Sequence, residues 1–406
     1  MINVSLIRKI AAIGIAMFFS GTIAVGKDYE QRKADGHVLH ILNLSAKDYD
    51  LQLVKAHDQV FGRETIESMA LRTSADIAIN AGFFEIGNNH DGMPSGTLII
   101  DGKIFGFNGH KNGCLVKKDA ELTIRAVHHP LVIEIGGKSL SIHKVNKFPE
   151  KNDCVLYTSL WGRNTLTPRA GRKEVVFDEH HNLVEILDHG ASAIPKNGYV
   201  ISLPKSHPLD VKKIPAGYKL NMEKLLPLSM PDYSVVTGIP ILIEDGKIVG
   251  EVLNSKASFY TTPHARTALG LKKNGDVVIV VVEHHYMKPL TEITLGEVKD
   301  IITNNKLKLL AKYRKSPADL SMKELKDIVK HEFTTKGAAS GLTLPELAQL
   351  LLDLGCESAI NFDGGGSSSL WMNGKVVNAS FGDVDESMGQ LTVRPIADAI
   401  VFQKKG

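Results

Sequence analysis

Cysteine is scarce in this chain: three in 406 residues, Cys114, Cys154 and Cys356. Their spacing matches no zinc-ligand pattern and no disulfide-dense scaffold, which excludes both as the basis of the fold. Cys114 and Cys154 would pair in an oxidising compartment only if their strands were neighbours, whereas Cys356, set among apolar residues, reads as a small buried hydrophobe. An excess of charge of one sign is also missing. A formal net charge of +3, with basic residues scattered among acids, leaves no electrostatic footprint for nucleic acid. Long apolar runs are absent too. The longest near the start, Ile10–Phe19, follows Arg8 and Lys9 and precedes the small residues Ser20, Gly21, Ala24 and Gly26. That order is the pattern of a secretory signal over residues 1–26, with a core too short to span a bilayer comfortably. A retained anchor is the competing reading of the same segment, and cleavage leaves no stable membrane insertion.

What is present is mostly β. The length allows one large or two average domains. From His37 onward, short β-branched or apolar runs alternate with Gly, Asp and Asn turns: Val38–Leu44, Ile77–Ile79, Gly96–Ile100, Val132–Ile135 and Val277–Val282. Three segments read as hairpins, turning at Asp101-Gly102, Asp245-Gly246 and Asn373-Gly374. The Lys-rich stretch 288–336 has helical periodicity in Leu295–Ile302 and Met322–Val329 and reads as a surface helical insertion. Beyond it Thr343 and Glu346 form a capping box around Pro345. Leu344, Leu347, Ala348, Leu351 and Leu352 supply the apolar face of a helix that Gly355 ends. The fold class expected is α+β, β-rich, with mixed or mostly antiparallel sheets, packed helices and that insertion.

The helix leads into an apolar strand and then Asp363-Gly364-Gly365-Gly366-Ser367-Ser368-Ser369. Three glycines let backbone approach a ligand closely, and the serines add hydroxyl and N–H groups suited to phosphate oxygens. The loop lacks the Gly-Lys-Ser/Thr ending of an NTP-binding loop and the G-x-S-x-G elbow of a serine hydrolase. A plain glycine turn capped by Asp363 is the bland alternative. The doublets His128-His129, His180-His181 and His284-His285 each place neighbours on opposite faces of a strand, so they read as ordinary histidines and not as metal sites.

The run Gly341-Leu342-Thr343-Leu344-Pro345-Glu346-Leu347-Ala348 through Asn361-Phe362-Asp363-Gly364-Gly365-Gly366-Ser367-Ser368 resembles the signature of the phosphodiester glycosidase family. Other blocks resemble that family in order: Asn80-Ala81-Gly82-Phe83-Phe84, with Ala81 a departure from Gly; Pro94-Ser95-Gly96; Thr237-Gly238 with Pro240; His264-Ala265-Arg266-Thr267-Ala268-Leu269-Gly270; and Arg394-Pro395-Ile396-Ala397-Asp398-Ala399. The resemblance implies one glycosidase domain over 27–406 that hydrolyses the bond between a sugar's anomeric carbon and a phosphodiester. Asp363 is then acid/base or nucleophile; Arg266, between a loop and a strong strand, reads as a bidentate phosphate clamp or a structural ion pair, and Glu283, ending its strand, as a candidate second carboxylate, with Asp398 another. Asn80, Gly82, Thr267, Gly364, Gly365, Gly366, Ser367 and Ser368 are then the substrate-binding set. Asn80 reads equally as a turn residue, and Phe83 and Phe84 as core. No cofactor is implied as required; calcium is compatible with an exported protein, although no contiguous loop spells a calcium motif. The partner is a glycosyl phosphodiester or phosphorylated glycan, such as an exopolysaccharide. Two alternatives stay open: a non-catalytic carbohydrate-binding protein of the envelope, and a metal-dependent phosphodiesterase cutting P–O.

Overall fold

The computed structural model describes residues 19–24, 28–34, 37–87, 89–127, 131–221, 230–283, 341–378, 384–385, 390–391 and 393–405, with positions 303, 319–321 and 324. Residues 1–18 and 25–26 of the expected signal segment, two of the three histidine doublets and nearly all of the 288–336 insertion lie outside the described residues, whereas Phe19–Ala24 of that segment forms a strand.

Nine elements carry the candidate site. They are β1 (His37–Leu44), β2 (Tyr49–Lys55), β3 (Ile77–Asn80), β4 (Arg266–Lys272), β5 (Val277–Val282), α1 (Leu344–Asp353), β6 (Cys356–Asn361), β7 (Leu370–Met372) and β8 (Asp398–Lys404). β1, β5, β4 and β6 are consecutive neighbours in an eight-stranded sheet whose two outermost strands on one side are Phe19–Ala24 and Tyr29–Ala34. β7, β3, β8 and β2 are consecutive in a five-stranded sheet. All pairings in both sheets are antiparallel. A third sheet, of ten strands, runs from Leu183–Leu187 to Glu121–Val127 and contains one parallel pair, Lys144–Val145 with Val155–Thr158. The expected strand-rich, mostly antiparallel architecture is therefore present, while the helical share among the described residues is smaller than expected.

The eight- and five-stranded sheets face each other. Alternate residues of each strand point to opposite faces, and one set closes a shared core: Leu42, Leu44, Leu51, Leu53, Ile77, Ile79, Leu269, Leu271, Val277, Ile279, Val281, Leu370, Ile400 and Phe402. The other set packs outward. Leu39, Ile41, Ala268, Val278 and Val280 meet Leu344, Leu347, Ala348 and Leu351 of α1. Ala78, Ala399 and Val401 meet Ile66, Met69 and Ala70 of the Ile66–Arg72 helix, a helix that the sequence pattern did not reveal. The ten-stranded sheet has its own core around Ile99, Val116, Leu156 and Val235, and lends Leu98, Leu115 and Val236 to the shared one.

The local signals hold. The three hairpins pair Ile100 with Lys103, Glu244 with Lys247 and Met372 with Lys375. Both central residues of each turn have positive φ, from 47° to 78°, which is the type I′ geometry that Asp-Gly and Asn-Gly favour. The Thr343–Glu346 capping box is formed in both directions, and Gly355 follows the helix at φ 84°. Cys114, Cys154 and Cys356 are free, buried thiols. Cys114 lies on a strand separated by four others from the strand that Cys154 precedes, so the conditional disulfide is not made.

Candidate active site

Asp363 follows β6 by two residues, where the eight-stranded sheet hands the chain to the five-stranded one. Its N–H donates to the Ala81 carbonyl at 2.9 Å, and Phe362 N–H to the Thr267 carbonyl at 2.8 Å. The loop after it rests on the entry to β4: Gly365 N–H donates to the Ala265 carbonyl at 2.9 Å. A Cβ on Gly364 would stand 2.6 Å from that same carbonyl oxygen, so only glycine lets the loop settle there. Gly364 N–H donates to Asp363 Oδ1 at 2.9 Å. Burial pushes the Asp363 carboxyl above the usual range, against the pull of Ser367, the Gly364 N–H and the Arg394 charge. Gly365–Ser367 forms a single 3-10 turn, and the N–H groups of Ser367 and Ser368 close onto Gly364 and Gly365.

Asn80 ties the two sheets to this loop. Its Nδ2 donates to the Asp363 carbonyl at 2.7 Å, and its Oδ1 accepts the Thr267 hydroxyl at 2.7 Å and the Ser369 N–H at 3.0 Å. Asn80, Thr267, Ser367 and Ser368 are all buried. As placed, Asn80 and Thr267 support the loop from beneath, and direct contact of either with a sugar would require those bonds to open. Phe84 packs against the Ile66–Met69 cluster, in line with its core reading.

Arg266 donates Nε to the Leu342 carbonyl at 3.2 Å and Nη2 to the carbonyls of Phe259 and Thr262 at 3.0 and 3.1 Å. Its guanidinium lies 5.6 Å from the Phe259 ring centre. Among the described residues it makes no salt bridge, so the ion-pair reading of Arg266 is not realised; burial alone lowers it to about 10. Sequence reasoning did not single out Arg394, whose Nη1 reaches Ser367 Oγ at 3.4 Å and whose charge acts on Asp363. Its block reads as the closing strand of a sheet, which hides it.

Asp398, at the start of β8, faces the same region. Its Oδ1 accepts the Gly82 N–H at 2.5 Å, and its Oδ2 is buried with no hydrogen-bond partner among the described residues. A Cβ on Gly82 would lie 3.2 Å from Oδ1. Burial raises Asp398 to about 6, opposed by Lys55 and the Gly82 N–H and assisted by the Asp363 charge. Lys55 stands directly opposite on β2 and is fully buried; desolvation brings it down to about 8 despite Asp398 and other acids. Glu283 follows β5 at the same end of the eight-stranded sheet, bonded to His40. Of the histidine doublets, the described one has His180 exposed and His181 half-buried. Among the described residues no group of three or more His, Cys, Asp or Glu side chains could hold a metal ion.

These features define a β-sandwich with a carboxyl group, a glycine turn and two arginines at one end. Residues 173–308 and 331–403 match the phosphodiester glycosidase family, and the chain belongs to it. The matched residues include Arg266, Glu283, Asp363, Arg394 and Asp398; the Asn80–Gly82 segment precedes them. An uncharacterised protein of Rickettsia conorii is 36% identical over 247 residues, which is 59% of this chain and 86% of that protein. A hypothetical protein from Synechocystis shares the fold with a TM-score of 0.65 at 18% identity, covering 95% of this chain; the chain spans 63% of that protein's length. An exported-protein candidate from Burkholderia pseudomallei superposes with a TM-score of 0.61 at 18% identity, over 92% of this chain and 74% of its own.

Proposed function

We propose that this protein is an exported glycosidase that hydrolyses the bond between a sugar's anomeric carbon and a phosphodiester, releasing free sugar and a phosphomonoester. Family membership supports the reaction class, and one observation carries the assignment of the centre: Asp363 is held at the glycine turn with its carboxyl biased toward the protonated form. A carboxyl in that state can donate a proton to the departing oxygen. A phosphate leaving group is already stable as an anion, so charge neutralisation matters more than strong acid assistance. Arg266 is fixed by three carbonyls and meets no carboxylate among the described residues, so its positive charge is held for a bound anion in a preorganised place. Arg394 adds a second charge beside Ser367. Glu283 is the partner carboxylate for water.

Export follows from the N-terminal pattern of basic, apolar and small residues. Cleavage after residue 26 removes the Phe19–Ala24 edge strand and leaves Tyr29–Ala34 paired with β1. No catalytic metal is assigned.

The test is turnover of N-acetylglucosamine-1-phospho-methylmannoside by the purified protein and by Asp363→Asn. Sugar release by the wild type, reduced about 1,000-fold or more in the variant, is expected. Binding of the substrate by both proteins with turnover by neither would replace the glycosidase with a carbohydrate-binding protein. Oxygen-18 from water appearing in phosphate would replace it with a phosphodiesterase.

A further inference from the structure

The eight-stranded sheet contains a buried polar string ending at Glu283, two members of which the reaction outlined above does not use. Tyr29 Oη lies 2.7 Å from His40 Nδ1, and His40 Nε2 lies 2.6 Å from Glu283 Oε1. The three residues come from three adjacent strands or strand ends. His40 is fully buried, Glu283 nearly so, and Tyr29 half-buried. One hydrogen-bonding order satisfies every group: the phenol donates to Nδ1, and Nε2–H donates to the carboxylate, which can only accept. Burial, with the Glu283 charge, raises the Tyr29 phenol to about 12, so it remains a donor.

Holding the strands together does not call for such a string. β1 pairs with β5 from Leu39 to Leu44 and with Tyr29–Ala34 from His37 to Leu42, so the ladders already set the register. Every residue of β5 is a buried Val or Ile, and a valine at position 40 would extend the same apolar face. Buried polar groups are expensive to desolvate, and departures from a local rule concentrate where a site needs them. The position supplies the need. Val282 pairs with Arg266, which puts Glu283 beside the chain entering β4, and that chain's Ala265 carbonyl is the seat of Gly365. Asp363 and Glu283 therefore follow strands on either side of β4, with backbones roughly 10 Å apart.

We infer that Tyr29 and His40 are positioning residues for Glu283, forming a phenol–imidazole–carboxylate string that fixes the second carboxylate of the site toward the Gly364–Gly365 turn. The inference rests on the glycosidase reading for its chemistry, but the string itself has an independent readout. His40 takes its orientation from Tyr29 and hands it to Glu283, much as the outer partner of a ligating or catalytic imidazole sets its tautomer.

Two measurements on the full-length protein decide it. In nitrogen-15 spectra of the imidazoles, His40 is expected with its proton on Nε2, and its signals should move in both Tyr29→Phe and Glu283→Gln. In kinetics, His40→Ala should lower kcat about 100-fold with KM changed by about twofold or less. His40→Gln, whose amide can still donate to Glu283, should recover kcat to within about tenfold of wild type. The double variant His40→Ala/Glu283→Gln should be no slower than Glu283→Gln alone, because both changes remove one function. A His40 ring without a proton on Nε2, or one unmoved by both substitutions, overturns the string. Fully multiplicative losses in the double variant, or a kcat for His40→Ala within about threefold of wild type, overturn its role. If the wild type fails to turn over the substrate, the glycosidase reading fails by itself and the imidazole spectra still decide the string.

Discussion

The two ends of the sandwich are built from the same strands and differ in kind. Along the inner face, β1 runs His40, Leu42, Leu44; β4 runs Thr267, Leu269, Leu271; β8 runs Asp398, Ile400, Phe402; and β2, in the opposite sense, runs Leu51, Leu53, Lys55. β5 ends Ile279, Val281 and is followed by Glu283, and β7 begins at Leu370 two residues after Ser368. At one end the inner positions of these strands, Leu44, Leu51, Leu271, Val277 and Phe402, are apolar and belong to one core cluster. At the other, His40, Thr267, Asp398, Lys55, Glu283 and Ser368 are polar and still buried. Two of their polar atoms, Ser368 Oγ and Asp398 Oδ2, lack any hydrogen-bond partner among the described residues. Unsatisfied buried groups are rare and costly, so one end holds the fold together while the other gives up stability for a preorganised polar site.

Breaking the polar end should affect both properties at once. Asn80 is the side chain through which the two sheets and the Asp363 loop are joined. Asn80→Ala leaves the Ser369 N–H and the Thr267 hydroxyl buried without their acceptor, at about 1–3 kcal/mol each. We expect the unfolding free energy to drop by about 3 kcal/mol and kcat to drop about 100-fold at temperatures where the variant remains folded. Denaturant unfolding and turnover measured together check this. A variant that loses stability and keeps full kcat would show that the loop positions Asp363 without Asn80.

Asp398 sharpens the comparison through pH. Its folded-state pKa of about 6 lies above an unfolded value of about 3.9, so its protonated form favours the folded state. That contribution is complete below pH of about 4 and is lost as pH rises through about 6, for a total of about 3 kcal/mol. Asp398→Asn carries no such titration. The stability of wild type relative to the variant should therefore fall by about 2 kcal/mol between pH 4 and pH 7. Lys55, brought down to about 8, titrates above that window in the wild type. Parallel stability curves would mean that Asp398 is solvated more than its burial indicates.

Much of this was legible in the chain because it is local. A type I′ turn needs two residues that tolerate positive φ, and Asp-Gly or Asn-Gly announces that within two positions. The capping box spans four residues and the glycine loop seven. The strand alternation ending in Lys55, Glu283 or Asp398 was also there to be read. What could not be read was that those ends coincide. His40 meets Glu283 across 243 residues, and Asn80 meets Asp363 across 283; only the sheet order brings them together. The same gap explains Arg266, whose block promised a free clamp or an ion pair. The neighbours that occupy it are backbone carbonyls, and no residue type encodes those. Asp398 reads as a closing residue for the same reason, since Gly82 and Lys55 lie 316 and 343 positions before it.

The smallest effect is the cleanest check on the division of labour. Ile279 is fully buried in the shared core, on β5 and four residues from Glu283. Its neighbour in the ladder with β4 is Leu269 and with β1 is Leu42, both members of the same cluster. Ile279→Val removes one methylene and leaves a small cavity, which costs about 1 kcal/mol. The change keeps the β-branched shape and the strand ladder, so Glu283 and Asp363 should not move. Urea unfolding should therefore show a lower midpoint with an unchanged slope, while kcat and KM stay at wild-type values. If one methylene in the apolar half lowers kcat about tenfold, the two ends are mechanically coupled. The apolar face would then belong to the site's positioning machinery and not to stability alone.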